Sequence, residues 1–173
     1  MARSWFAVAH GAESFDDGLL LLLRKAEPFI RQHYPDAMRA LAMNLAAQGF
    51  HTWFLHDMED AIAPLSEAYQ LMLNHGVAIE SDVVKVAEVL AVCLASTEAY
   101  DDALGVLYAA QPFLVAAIEQ NEFAVAQYEE FREEFVEKHI DDFSPKSQSM
   151  IGVLRGPRLR QAFANSSKDL THD

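Results

Sequence analysis

The chain has one cysteine, few prolines and glycines, half as many basic as acidic residues, and no long apolar run. Cys93 alone cannot close an intramolecular disulfide, so an oxidising compartment is neither required nor suggested, and a reducing cytoplasm is the expected location. Thirteen Lys and Arg stand against 26 Asp and Glu, a formal charge of -13. Such a charge repels phosphate backbones instead of releasing their counterions, so nucleic acid and anionic membrane surfaces are poor partners. The run Leu19 to Leu23 is too short for a signal-peptide core, follows Asp16, Asp17 and Gly18, and stops at Arg24 and Lys25. It reads as a buried helix segment. No stretch approaches the ~20 apolar residues that span a bilayer, so a soluble protein is expected. At 173 residues, 51% hydrophobic and 23% charged, the chain can bury a core of its own as one domain or a short repeat array.

What is present has a helical period. Proline and glycine are sparse between residues 36 and 143, Ala and Leu recur at three- and four-residue spacing, and strand alternation is missing. An all-α protein follows, with helices over 3–11, 15–33, 36–55, 58–75, 82–97, 100–119 and 122–141. Phe15-Asp16-Asp17-Gly18, Met58-Glu59-Asp60-Ala61 and Tyr100-Asp101-Asp102-Ala103 share one pattern, at separations of 43 and 42 residues. In each, a bulky residue and two acids precede a small residue that opens an apolar run. Acids in a first turn face the positive end of the helix dipole and its free amides, so each tetrad marks a helix start. A second pattern, Leu41-Ala42-Met43-Asn44-Leu45-Ala46 and Leu90-Ala91-Val92-Cys93-Leu94-Ala95, precedes two of the three. Its alanines let a neighbouring helix come close, so each unit is a helical hairpin. The middle hairpin carries seven extra residues, approximately His51 to Asp57.

This arrangement resembles the tetratricopeptide repeat, whose first helix carries a Leu followed by a small residue and whose second helix carries two small residues seven apart. Leu90, Ala91 and Leu94 with Tyr100, Ala103, Leu107 and Ala110 fit the last repeat; Leu41, Ala42, Leu45, Ala61, Leu65 and Ala68 fit the middle one. In the N-terminal repeat Trp5, Gly18 and Leu22 fit, while Lys25 occupies the second small position. The repeat here is longer than the family's ~34 residues and has no closing proline. The resemblance implies an α-α superhelix of about three hairpins, with a concave groove that holds a peptide or helix of another protein. Carried over by position, the groove is lined by Asp36, Arg39, Met43, Ala46 and Ala47 of the middle repeat and Lys85, Glu88, Val92, Ala95 and Ser96 of the last. Met43 stands where members that clamp a terminal carboxylate hold an asparagine, which argues against that ligand class and for an apolar segment with basic surroundings.

Residues 122–141 place Ala124, Tyr128, Phe131 and Phe135 on one stripe and Glu122, Glu129, Glu130, Glu133, Glu134 and Glu137 largely elsewhere. An amphipathic helix of this kind caps a solenoid, and its acidic face is also suited to docking. The repeat domain with its cap spans 1–143. Ser144-Pro145 then offers a cap and a first-turn proline for a short helix. Residues 144–173 hold five basic residues against two acidic ones, a net +3, and form a basic tail. Met150 to Phe163 either packs on the acidic body or acts as an arm that occupies the groove. From Asn165 onward an unordered end is expected.

Sequence gives catalysis no positive support. Neighbouring acids such as Asp101 and Asp102 point apart on a helix. Cys93 has no nearby base and fits a small core position. The histidines include no i, i+4 pair and no Glu-x-x-His, and His51 and His56, five apart, face different ways, so neither metal nor cofactor is expected. Trp53 and Phe54, in the extra segment, either anchor a partner or cover the N-terminal hairpin, where Trp5 and Phe6 also need cover. The expectation is a non-enzymatic binding adaptor or chaperone. Size, charge and repeat number resemble the secretion chaperones that hold apolar translocator segments. A regulatory or assembly module, self-associating as a homodimer through exposed apolar faces, is the alternative, and an enzyme on a helical bundle is a third reading.

Overall fold

A computed structural model describes residues 17–76, 80–118 and 122–154. The expected helix over 3–11, the covering role of Trp5 and Phe6, and the tail beyond residue 154, including its unordered end, lie outside the described residues. Within them the protein is all helical: α1 (Asp17–His33), α2 (Met38–Leu55), α3 (Met58–His75), α4 (Glu80–Ser96), α5 (Tyr100–Ile118), α6 (Glu122–Lys138) and α7 (Pro145–Leu154).

The acid pairs open helices as their chemistry requires. Glu59 and Asp60 sit in the first turn of α3, where the Asp57 carboxylate also accepts from the Glu59 N–H at 2.9 Å. Asp101 and Asp102 sit in the first turn of α5. The helix ends are equally local. Gly76 closes α3 in the left-handed region at φ 56°, its N–H bonding Met72 O. Glu98 adopts the same conformation at φ 62° after α4, while its N–H bonds Ala95 O and the Ala99 N–H bonds Leu94 O, the pairing that glycine usually completes. α6 stops three residues before the expected 141, because Gln148 Nε2 donates to the carbonyls of Ile140 and Phe143 and holds the chain in a turn.

Packing is most extensive between α2 and α3 and between α4 and α5, and these two pairs join through α3 and α4. Next-but-one helices also touch: α2 with α4, α4 with α6, and α5 with α7. α3 and α5 each bury one stripe. On α3 it is Ala61, Leu65, Ala68, Tyr69 and Met72; on α5, Ala103, Leu104, Leu107, Ala110 and Leu114. The alanines sit where the helices cross closely, and the leucines fill the space between them, each worth roughly 1.5–3 kcal/mol on full burial. α2 and α4 are covered on several sides: α1, α3 and α4 meet α2, and α2, α3, α5 and α6 meet α4. Tyr69 ties the pairs together by donating its hydroxyl to Val106 O at 2.8 Å.

The leucine run behaves differently from its expectation as a buried segment. It lies on α1, but only Leu20 is buried, and Leu22 is 63% exposed. The reason is geometric: α1 packs on α2, so one face is covered and the opposite face carries Leu21, Leu22 and Phe29 into solvent. The covered face is partly polar. Asn44 Nδ2 donates to Leu23 O at 3.2 Å, and Gln48 Nε2 donates to Glu27 Oε2 and to Asn44 Oδ1, both at 2.8 Å. Arg31 continues the chain by bridging Glu27 and Glu67, and this links α1 to α3.

Ser144 and Pro145 open α7 as expected, with Ser144 Oγ accepting from the Ser147 N–H at 3.3 Å. Asp101 has a second task here. Its Oδ1 accepts from the Ser144 N–H at 3.0 Å and so fastens α7 to the start of α5. Hydrogen bonds from Ser144, then from Ser147, with the charge of Lys146, hold the Asp101 carboxyl below the usual aspartate range. A depressed folded pKa stabilises above the unfolded value, and the contribution disappears as pH falls through the folded one. Corrected for the intrinsic exchange rate at each pH, hydrogen exchange at the Ser144 amide should therefore be slow at neutral pH and speed up on acidification below ~3.9. Asp101→Ala should show the fast rate at neutral pH as well, with exchange in the middle of α5 unchanged.

Candidate functional site

On α4 most of the residues left partly accessible fall on one stripe at helical spacing, with Glu80 at the start and Leu94, packed against the core, outside it. Asp82, Val83, Val84, Val86, Ala87, Val89, Leu90, Ala91 and Cys93 are buried, while Lys85, Glu88, Val92 and Ala95 are half-buried and Ser96 is exposed. These are the last-repeat positions expected to line a groove, and they share one face because their separations are three, four and three residues. Lys85 Nζ and Glu88 Oε2 pair at 2.6 Å on this face, so it carries a neutralised ion pair beside the apolar Val92 and Ala95. Ser96 donates its hydroxyl to Cys93 O and is committed locally.

The middle repeat contributes less than expected. Arg39 is exposed and Met43 is half-buried against the core, but Ala46 and Ala47 are sealed inside. The correction has a packing cause. α1, α3 and α4 all lean on α2, and the buried Asn44 and Gln48 draw α1 across its middle turns. The accessible surface of α2 is thereby confined to its ends: Arg39 and Met43 at the start, Trp53 and Phe54 at the finish. Trp53 packs against the core, and Phe54 is 60% exposed.

On α6 the aromatic stripe is inward as its period requires: Tyr128 and Phe135 are buried, Phe131 is half-buried, and Glu130, Glu133, Glu134 and Glu137 face out. One charged residue among them does not face out. Arg132, in the middle of a glutamate-rich run, is buried. It falls one turn after Tyr128 and one before Val136, so its place on the apolar stripe is readable from the 3.6-residue period alone.

Burial pushes the Cys93 thiol up to about 11, away from the thiolate a nucleophile needs. His51 is buried, whereas His56 is exposed with Nε2 2.8 Å from Asp17 Oδ1, so the two histidines lie in different surroundings. Among the described residues no three His, Cys, Asp or Glu side chains converge as a metal site would require, and no helix is long and apolar enough to cross a membrane. The α4 stripe is thus a surface suited to contact: a small apolar patch with a charge pair at one end. Comparison of the chain with protein-family models, with curated proteins and with solved structures finds no match in any of the three.

Proposed function

We propose that the chain is a non-enzymatic protein-interaction module of tetratricopeptide-like hairpins, a cytoplasmic adaptor or chaperone that holds an apolar peptide or helical segment of a partner. The observation that carries this reading is the accessible stripe of α4, with Val92 and Ala95 as its apolar part and Lys85 and Glu88 at its side. Tight pairing of α2 with α3 and of α4 with α5, together with contacts between next-but-one helices, supports a hairpin array. The bound segment would lay small apolar side chains on Val92, Ala95 and Met43 and meet Arg39, Lys85 and Glu88 at its edges. Met43→Glu combined with Val92→Glu should abolish capture of the partner that co-purifies with the wild-type protein, because two carboxylates would then need desolvation on binding. Both positions are half-buried, so far-ultraviolet circular dichroism should retain its helical signal. Equal capture by the double variant would remove this face from the function.

A second reading rests on the exposed Leu21, Leu22 and Phe29 of α1. In that reading the face is covered by a second copy, and sedimentation should show a concentration-dependent dimer.

A further inference from the structure

The seam of α6 with α4 and α5 holds two polar groups that the proposed function does not use. Tyr128 is 2% exposed and Arg132, one turn later, is 3% exposed. The Tyr128 hydroxyl and Arg132 Nη1 are both shut off from solvent, and neither has a hydrogen-bond partner. A guanidinium can only donate, and a buried cation without a counter-charge is costly.

The carboxylates nearest in charge do not fill the role. Glu88 on α4 acts electrostatically on Tyr128, but its carboxylate is taken by Lys85 at 2.6 Å. Glu129 feels the charge of Arg132, yet the two form no ion pair, and Glu133 next to it is exposed. Tyr69, also near Tyr128, donates its hydroxyl proton to Val106 O. Two enclosed donors, one of them cationic, therefore face no acceptor from the described residues.

We propose that Arg132 Nη1 and Tyr128 OH bind one small oxyanion, a carboxylate or phosphate group, at the seam of α6 with α4 and α5. An oxyanion offers lone pairs to both donors and sets a negative charge directly against Nη1. Both side chains are more than nine-tenths buried, so the ligand is a small free anion, and an extended chain does not fit the enclosed part. Met43 and Val92 take no part in this site, so Met43→Glu with Val92→Glu should leave the anion response in place while partner capture is lost.

Thermal unfolding of the full chain, titrated with sodium acetate or sodium phosphate against sodium chloride at matched ionic strength, tests the site. An anion bound only by the folded state raises Tm in a saturable way. The expected result is a saturable rise with acetate or phosphate above that with chloride. Arg132→Met should abolish it, and Tyr128→Phe, which keeps the ring, should weaken the apparent affinity about 3- to 10-fold through loss of one hydrogen bond. No saturable excess over chloride in the wild-type protein would overturn the proposal and leave internal water as the partner of both groups. Unchanged affinity in Tyr128→Phe would overturn it too, even if Arg132→Met failed to fold.

Discussion

Gly49→Ala should destabilise the protein, although alanine is the better helix former. A Cβ on Gly49 would lie 2.7 Å from Leu65 Cδ2, closer still to Cγ, and 3.3 Å from the Leu65 backbone nitrogen. Leu65 is fully buried on the inner stripe of α3, and the close approach involves its Cγ and backbone nitrogen as well as a terminal methyl. Overpacking of this kind costs about 1–3 kcal/mol. Relief of the glycine's entropy returns only about 0.5–1 kcal/mol, so a net loss remains. Leu65→Ala by itself should cost about 2–5 kcal/mol, since it leaves a cavity where α2 and α3 cross. The two changes are coupled. With Leu65 shortened, Cγ and Cδ2 are gone, and Gly49→Ala should cease to destabilise and should fill part of the cavity. Urea unfolding of the two single variants and the double variant measures the coupling. Additive losses would mean that α2 and α3 do not cross at Gly49. Gly105→Ala is the control: nothing lies within 4 Å of a Cβ built there, and the same substitution should stabilise by about 0.5–1 kcal/mol.

The contrast between those glycines shows where sequence reading stops. Helix positions were legible because their causes are local. The acids of Met58-Glu59-Asp60-Ala61 and Tyr100-Asp101-Asp102-Ala103 meet free amides in the very turn they occupy. The inner stripes Ala61, Leu65, Ala68 and Ala103, Leu107, Ala110 were legible from period and residue size. Gly49 looked like any helical glycine, because what excludes a side chain there is a leucine sixteen residues away.

The candidate site divides along the same line. On α4 the stripe Lys85, Glu88, Val92, Ala95 follows from helical spacing and a covered opposite face, and the structure leaves it accessible. On α2 the same extrapolation put Ala46 on the surface, but α3 and α4 meet that helix as well as α1, and Ala46, on the side away from Asn44 and Gln48, lies in the core cluster. A small residue is compatible with a groove floor and with a tight helix crossing alike. Only the partner helix decides between them. Arg132 was missed for a related reason: its charge outweighed its position on the buried stripe.

Position 92 stands next to the lone thiol, which allows the openness of α4 to be read chemically. Wild-type Cys93 should resist a maleimide in the folded protein. Its sulfur is buried, and that burial pushes its pKa up to about 11, so thiolate is scarce at neutral pH. Val92→Cys in a Cys93→Ala background should react at least about 100-fold faster, because the half-buried residue at 92 keeps a path to solvent and avoids the desolvation that suppresses Cys93. Binding of the co-purified partner should slow that reaction sharply. If Val92→Cys reacts as slowly as Cys93, the face of α4 is closed, and no polypeptide is held there.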